Sequence, residues 1–204
     1  MNEKELVKNL KDMFEDAKYS ELSKIYVHTN LATRKFHELW KEWWKGSIPL
    51  KLEVDMILIF IESQKQNVFM PAIEVKYFKE TSRRDFREGL QQALSFSLFG
   101  FDSLVLWHIF PDQTEKTDID GIVKPIKELI DFLNLPLVYF ATRIKENKFE
   151  FLAPWEWGSS VDVLPYQFLG YLKNECKKKL NPMVDNEEVQ KRRKILKVLL
   201  KIPI

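Results

Sequence analysis

Ser103–Phe110, SLVLWHIF, runs almost without a polar break between Asp102 and Pro111. A strand with one wet face alternates apolar and polar residues, so a run this continuous reads as an interior strand buried on both faces. A second such run, Leu135–Thr142, follows a helix-patterned stretch at Asp120–Asn134, with Asp120 as its N-cap. Lys148–Leu152 then reads as an edge strand after the turn KEN. Strand, helix and strand in succession point to a central sheet covered by helices.

The rest of the chain extends that pattern. Three-and-four spacing of apolar residues predicts helices over Glu3–Lys18, over Leu31–Lys45 with Gly46 as stop signal, and over Arg84–Phe99 with Gly100 as C-terminal cap. Lys24–His28 reads as a short strand. The β-rich runs LKLEVDMILIFIES and VFMPAIEVKYFKE flank the polar turn QKQN and predict a hairpin. The expected fold class is α/β, a central mixed sheet flanked by helices over residues 1–154, with a helical insertion near 31–45. Residues 155–204 read as a C-terminal helical extension on the same domain, formed by lysine-rich helices over Val161–Lys179 and Asn186–Leu200.

Composition narrows the function classes. The longest apolar runs fall far short of the roughly 20 residues of a membrane-spanning helix. The charged opening MNEKELVKNLKDMF lacks the apolar core of a secretory signal, so an intracellular (cytoplasmic) protein is expected. A single cysteine, Cys176, excludes an intrachain disulfide and a cysteine-based zinc site, and reads as a bystander. The six glycines form no phosphate loop. Net charge is only +2, so a nucleic acid would be held by a local basic surface.

Chemistry is concentrated in the hairpin. Strand alternation puts Glu74 and Lys76 on one face, with Ile73, Val75 and Tyr77 on the other. On the partner strand it groups Glu53, Asp55, Ile57 and Ile59 against Leu52, Val54, Met56 and Leu58. Asp55, Glu74 and Lys76 all lie at the end away from the turn, where they can converge. Two carboxylates brought together repel unless a cation sits between them, and Mg²⁺ (or Mn²⁺) suits such oxygen ligands. Lys76 is then placed to orient a water and to stabilise developing negative charge. The plainer alternative is that Glu74 and Lys76 form a solvated surface ion pair.

EVDMILIF followed by AIEVKYFK resembles the two metal-binding strands of the PD-(D/E)XK nuclease superfamily, over roughly Glu3 to Phe110. The resemblance implies a restriction-endonuclease-like fold and Mg²⁺-dependent hydrolysis of DNA. Asp55, Glu74 and the backbone of Val75 would be metal ligands and Lys76 the group that assists the nucleophile. Val54 stands where many members carry proline. GLQQALSFSLFG resembles the Q-x-x-x-Y helix of the RecB-like branch, with Gln92 in place and Phe96 where tyrosine is usual. EKELVKNL resembles the opening of archaeal Holliday-junction resolvases and maps a further acidic ligand onto Glu3, with Glu5, Glu38 and Glu42 as alternatives. Each of these glutamates also reads as an ordinary solvated helix residue.

Arg83, Arg84 and Arg87 follow the second strand and are candidate DNA contacts, as are Lys177–Lys179 and Lys191–Lys194, although such charge runs often form solvated faces. His108 reads as a hydrogen-bonded core histidine. Trp40, Trp43, Trp44, Trp155 and Trp157 read as core before base-stacking groups. The apolar stripe Val189, Leu196, Leu199 and Leu200 would pack on this domain or on a second copy, a homodimer being common in the resembled family. A DNA-binding or assembly module that kept the fold without catalysis is the alternative function.

Overall fold

A computed structural model describes residues 1–43, 52–62, 67–79, 87, 89–154 and 162–202. Its elements are α1 (Glu3–Asp16), β1 (Leu22–Asn30), α2 (Arg34–Trp43), β2 (Glu53–Glu62), β3 (Asn67–Phe69), β4 (Pro71–Tyr77), α3 (Leu90–Ser95), a 3₁₀ turn (Phe96–Phe99), β5 (Ser103–Pro111), α4 (Lys116–Phe132), β6 (Val138–Lys145), β7 (Lys148–Ala153), α5 (Pro165–Lys178) and α6 (Glu187–Leu199). The strands form one mixed seven-stranded sheet in the order β1-β2-β4-β5-β6-β7, with β3 paired to β2. β4, β5 and β6 run parallel, and the pairs β1–β2, β2–β4 and β6–β7 are antiparallel.

β5 is buried along its whole length, as its apolar run demands. Leu104 and Leu106 face one layer with Ala93 of α3, Ile119 and Ile126 of α4, Phe36 and Trp40 of α2, and Ile195 and Leu196 of α6. Val105, Trp107 and Ile109 face the other, with Leu6, Leu10 and Phe14 of α1 and Phe168 and Leu172 of α5. There Trp107 stacks on Phe168 at 4.6 Å and on Phe14 at 6.1 Å between ring centroids. α3 and α4 both cover the first face, as successive crossovers of one hand require. The apolar stripe of α6 therefore packs inside this chain, and that stripe gives no argument for a second copy. Among the described residues no helix is long and apolar enough to cross a membrane.

Several expectations are corrected. α3 begins at Leu90 because Gly89 holds a left-handed φ of 83°, which a continuing helix cannot contain. α4 begins at Lys116 after the extended Glu115, so Asp120 is no N-cap; it sits one turn inside and pairs with Lys124 at 2.9 Å. Leu52 and Val54 join the layer of Ile57 and Ile59, not that of Met56 and Leu58 as strict alternation would have it. The β2–β4 ladder ends at Met56↔Ile73, and past that point β2 is free of the pleat of β4.

The KRRK run is largely structural. Arg192 donates to the Leu98 carbonyl at 3.1 Å, and Arg193 donates to the Gly100 carbonyl and pairs with Asp102 at 2.9 Å. Lys178 and Lys191 pair with Glu175 and Glu188 on their own helices. His108 is buried and shares a 3.0 Å hydrogen bond between its Nδ1 and Tyr139 Oη. Cys176 is buried and its thiol is pushed up to about 12 by that burial. Trp40 is core. Gly46, Trp44, Trp155, Trp157, Arg83 and Arg84 lie outside the described residues, as does the turn at 64–66.

Candidate active site

The β2–β4 register pairs Ile57 with Ala72 and Met56 with Ile73, so one further step brings Asp55 level with Glu74. In place of a backbone pair there, Asp55 Oδ2 accepts the Val75 N–H at 2.9 Å. A side chain thus closes the seam between the two strands, and this bond fixes Asp55 in a site only 9% exposed.

Glu74 is fully buried, opposite Leu106 of β5, and neither of its carboxylate oxygens receives a hydrogen bond. The Lys76 ammonium lies 2.8 Å from Glu74 Oε1 as an ion pair without hydrogen-bond alignment. Its aligned hydrogen bond goes to Glu3 Oε1 at 3.2 Å, while Glu3 Oε2 accepts the Tyr77 N–H at 3.1 Å. Glu3 reaches this place because Asn2 caps α1 and starts the helix beside β4. The solvated-pair alternative for Glu74 and Lys76 is therefore excluded.

Burial and the neighbouring Asp55 charge push the Glu74 carboxyl to about 8, against the opposing pull of Lys76. Burial also raises Asp55, opposed by the Val75 N–H. Burial disfavours the Lys76 ammonium, but the Glu74 carboxylate, with Glu3 and Asp55 behind it, outweighs that cost and raises its pKa. This is an electrostatically frustrated pocket, with three acids, Asp55, Glu74 and Glu3, crowded around one ammonium.

The remaining sequence candidates separate cleanly. Gln92 donates from Nε2 to the Glu53 carbonyl at 3.2 Å, tying α3 to the start of β2, whereas Gln91 is exposed. Phe96, where the resembled helix carries tyrosine, is buried apolar filling. Glu5 bonds the Asn2 N–H in the capping box, Glu38 pairs with Arg34 at 2.9 Å, and Glu42 is exposed, so of the four helix glutamates only Glu3 joins the cluster. Arg87 is exposed in the loop before α3.

Two residues at the site were missed from sequence. Gly89 lies against it so closely that a Cβ would meet Leu106 Cδ1 at 2.9 Å, Lys76 Cγ at 3.0 Å and Glu74 Cγ at 3.2 Å. The available signal was a glycine inside a helix-patterned stretch, where it weakens the helix. Gly89→Ala is expected to cost about 1–3 kcal/mol through the left-handed backbone and this crowding, a fall of several degrees in Tm by thermal unfolding. An unchanged Tm would mean the loop relaxes freely.

The second is His28. The β1–β2 register sets it between the pairs Val27↔Met56 and Thr29↔Val54, level with Asp55. Its φ is 48° inside a strand, its Nε2 lies 3.2 Å from the Lys4 carbonyl, and its Nδ1 is enclosed without a partner. In sequence it is one of three scattered histidines, and only the register brings it to the site.

Among the described residues no group of three His, Cys, Asp or Glu side chains forms a ready-made metal cage. The donor set instead fits a hard ion held by two carboxylates, Asp55 and Glu74, with waters completing its shell. The buried Glu74 carboxylate, with Oε2 unpartnered and Oε1 held only by the Lys76 ion pair, is the observation that such an ion answers. No family model, no curated protein and no solved structure matches this chain.

Proposed function

We propose that the protein is a Mg²⁺- or Mn²⁺-dependent nuclease of the PD-(D/E)XK type, with a restriction-endonuclease-like fold, that hydrolyses DNA phosphodiesters with water. The observation that carries the reading is Glu74, fully buried beside Asp55, with Oε2 lacking any partner and Oε1 facing only the Lys76 ammonium. A structural ion pair has no need of that arrangement, because burying two acids around one lysine destabilises the fold.

In this reading Asp55 and Glu74 bind the ion, joined by the Val75 carbonyl. When bound, the ion supplies Lewis acidity to water and phosphate. Lys76 holds the attacking water and stabilises charge on the phosphate as it is attacked. The Asp55 to Val75 bond keeps the two ligand strands at fixed separation, and Gln92 anchors α3 across the start of β2. At Gly89 the backbone passes so close to Glu74 and Lys76 that a Cβ would crowd both side chains. Arg87, with Arg83 and Arg84 beside it in sequence, would meet the DNA backbone.

The test is cleavage of linear, single-stranded and branched DNA with Mg²⁺, Mn²⁺ or EDTA, comparing wild type with Lys76→Ala. Cleavage that needs the ion and falls about 10²–10³-fold in the variant is the expected outcome. Cleavage that survives Lys76→Ala unchanged would refute the site. DNA binding without cleavage under either ion would favour a module that kept the fold and lost the chemistry.

A further inference from the structure

Glu3 differs from the other charged groups of the site in where its oxygens go. It comes from α1, which packs on the opposite layer from α3, and each of its oxygens already has a donor: the Lys76 ammonium on Oε1 and the Tyr77 N–H on Oε2. The Tyr77 bond fixes the rotation of the carboxylate and aims Oε1 at Lys76. Lys76 in turn stands between two acids, 3.2 Å from Glu3 Oε1 and 2.8 Å from Glu74 Oε1.

A cation that binds Glu74 through Oε1, or through both oxygens, meets the Lys76 ammonium 2.8 Å from Oε1. Two positive charges on one buried oxygen repel strongly at low effective dielectric, so the ammonium must withdraw. Glu3 is the acceptor it withdraws to, and the aligned hydrogen bond of Lys76 already points there.

We propose that Glu3 is a positioning residue that receives the Lys76 ammonium when a cation takes Glu74, and is not itself a ligand of that cation. The proposal rests on the metal-dependent reading of the site. Ligation by Glu3 through Oε1 would set the ion against the Lys76 ammonium there, and ligation through Oε2 would crowd the Tyr77 N–H, so either mode competes with a bond Glu3 already makes. Parking the lysine on Glu3 keeps both bonds and leaves Lys76 two residues from a bound ligand, where its charge is of use.

A double-mutant cycle read by calorimetric titration with Mn²⁺ tests this. Glu3→Gln keeps an acceptor for the Tyr77 N–H but removes the charge that draws Lys76 away, so Mn²⁺ affinity should fall about tenfold or more. Lys76→Met removes the competing ammonium and should bind Mn²⁺ at least as tightly as wild type. In the Lys76→Met background, Glu3→Gln should change the affinity by less than about twofold, because there is no ammonium left to place.

An equal loss in both backgrounds would show that Glu3 ligates the ion and would overturn the proposal. No loss in either background would overturn it as well. Glu3→Asp, which keeps the charge on a shorter arm, should recover part of the affinity, and it reads the same cycle if Glu3→Gln does not fold. Asp55→Asn serves as the control on the underlying reading. If wild type binds no Mn²⁺, or Asp55→Asn binds it equally well, the nuclease site fails and this proposal with it. If Asp55→Asn abolishes binding while the cycle shows no coupling, only the role of Glu3 fails.

Discussion

Asp55→Asn should lower ion-dependent DNA hydrolysis by about three orders of magnitude while leaving Tm within about 2 °C of wild type. The two halves of that result have separate causes. The amide oxygen of asparagine still accepts the Val75 N–H, so the seam between β2 and β4 stays closed. What is lost is the negative charge and one oxygen ligand. Asp55→Ala removes the acceptor too, and a buried N–H left without a partner costs about 1–3 kcal/mol. The alanine variant should therefore be both inactive and several degrees less stable. A cleavage assay beside thermal unfolding of both variants reads the difference. Equal losses of Tm in the two would mean that charge, and not the hydrogen bond, holds the strands together.

Glu74→Gln should erase a pH dependence of stability that wild type shows in EDTA. The Glu74 carboxyl is pushed to about 8 in the folded protein from an ordinary value of 4.5. Below about pH 4.5 both states keep the proton, and the group contributes nothing to the dependence. As pH rises from there the unfolded chain ionises while the folded chain does not, so stability falls until about pH 8 and is constant beyond it. The total is on the order of a few kcal/mol. The Tm advantage of Glu74→Gln over wild type should accordingly grow between pH 5 and 8. Mn²⁺ at about 100 times its dissociation constant should return about 2.7 kcal/mol to wild type and nothing to the variant. Parallel Tm curves across that range would show that the pocket accommodates the charge without an ion.

Much of this arrangement is legible in the sequence because it depends on periods of two and on burial. The run at Ser103–Phe110 announces a central strand, and β5 extends it by only one residue. The hairpin that brings Asp55 toward Glu74 follows from two apolar strands about a short turn, whereas Glu3 enters only through a family resemblance, as one of four candidate glutamates. What escaped depends on backbone dihedrals and distant contacts. The left-handed φ of Gly89 shortens α3, and periodicity carries no sign of φ. His28 joins the site only through the β1–β2 register. Leu52 and Val54 break alternation past the last β2–β4 pair. Arg192 and Arg193 look like a free basic run, yet their partners Leu98, Gly100 and Asp102 lie more than 90 residues away in the chain.

The bond that holds Asp55 runs to a main-chain N–H, and this decides which substitutions the residue between Glu74 and Lys76 can accept. Any residue with an N–H at position 75 supplies the same donor, so chemistry places no demand on its side chain. Packing against the layer of Ile73 and Trp107 does, and it restricts the position to apolar residues of similar size. Val75→Ile, which adds one methylene to this closed layer, should leave cleavage intact and cost only a modest part of the stability. Proline is the substitution that strikes the site directly, because it lacks the one hydrogen that Asp55 holds.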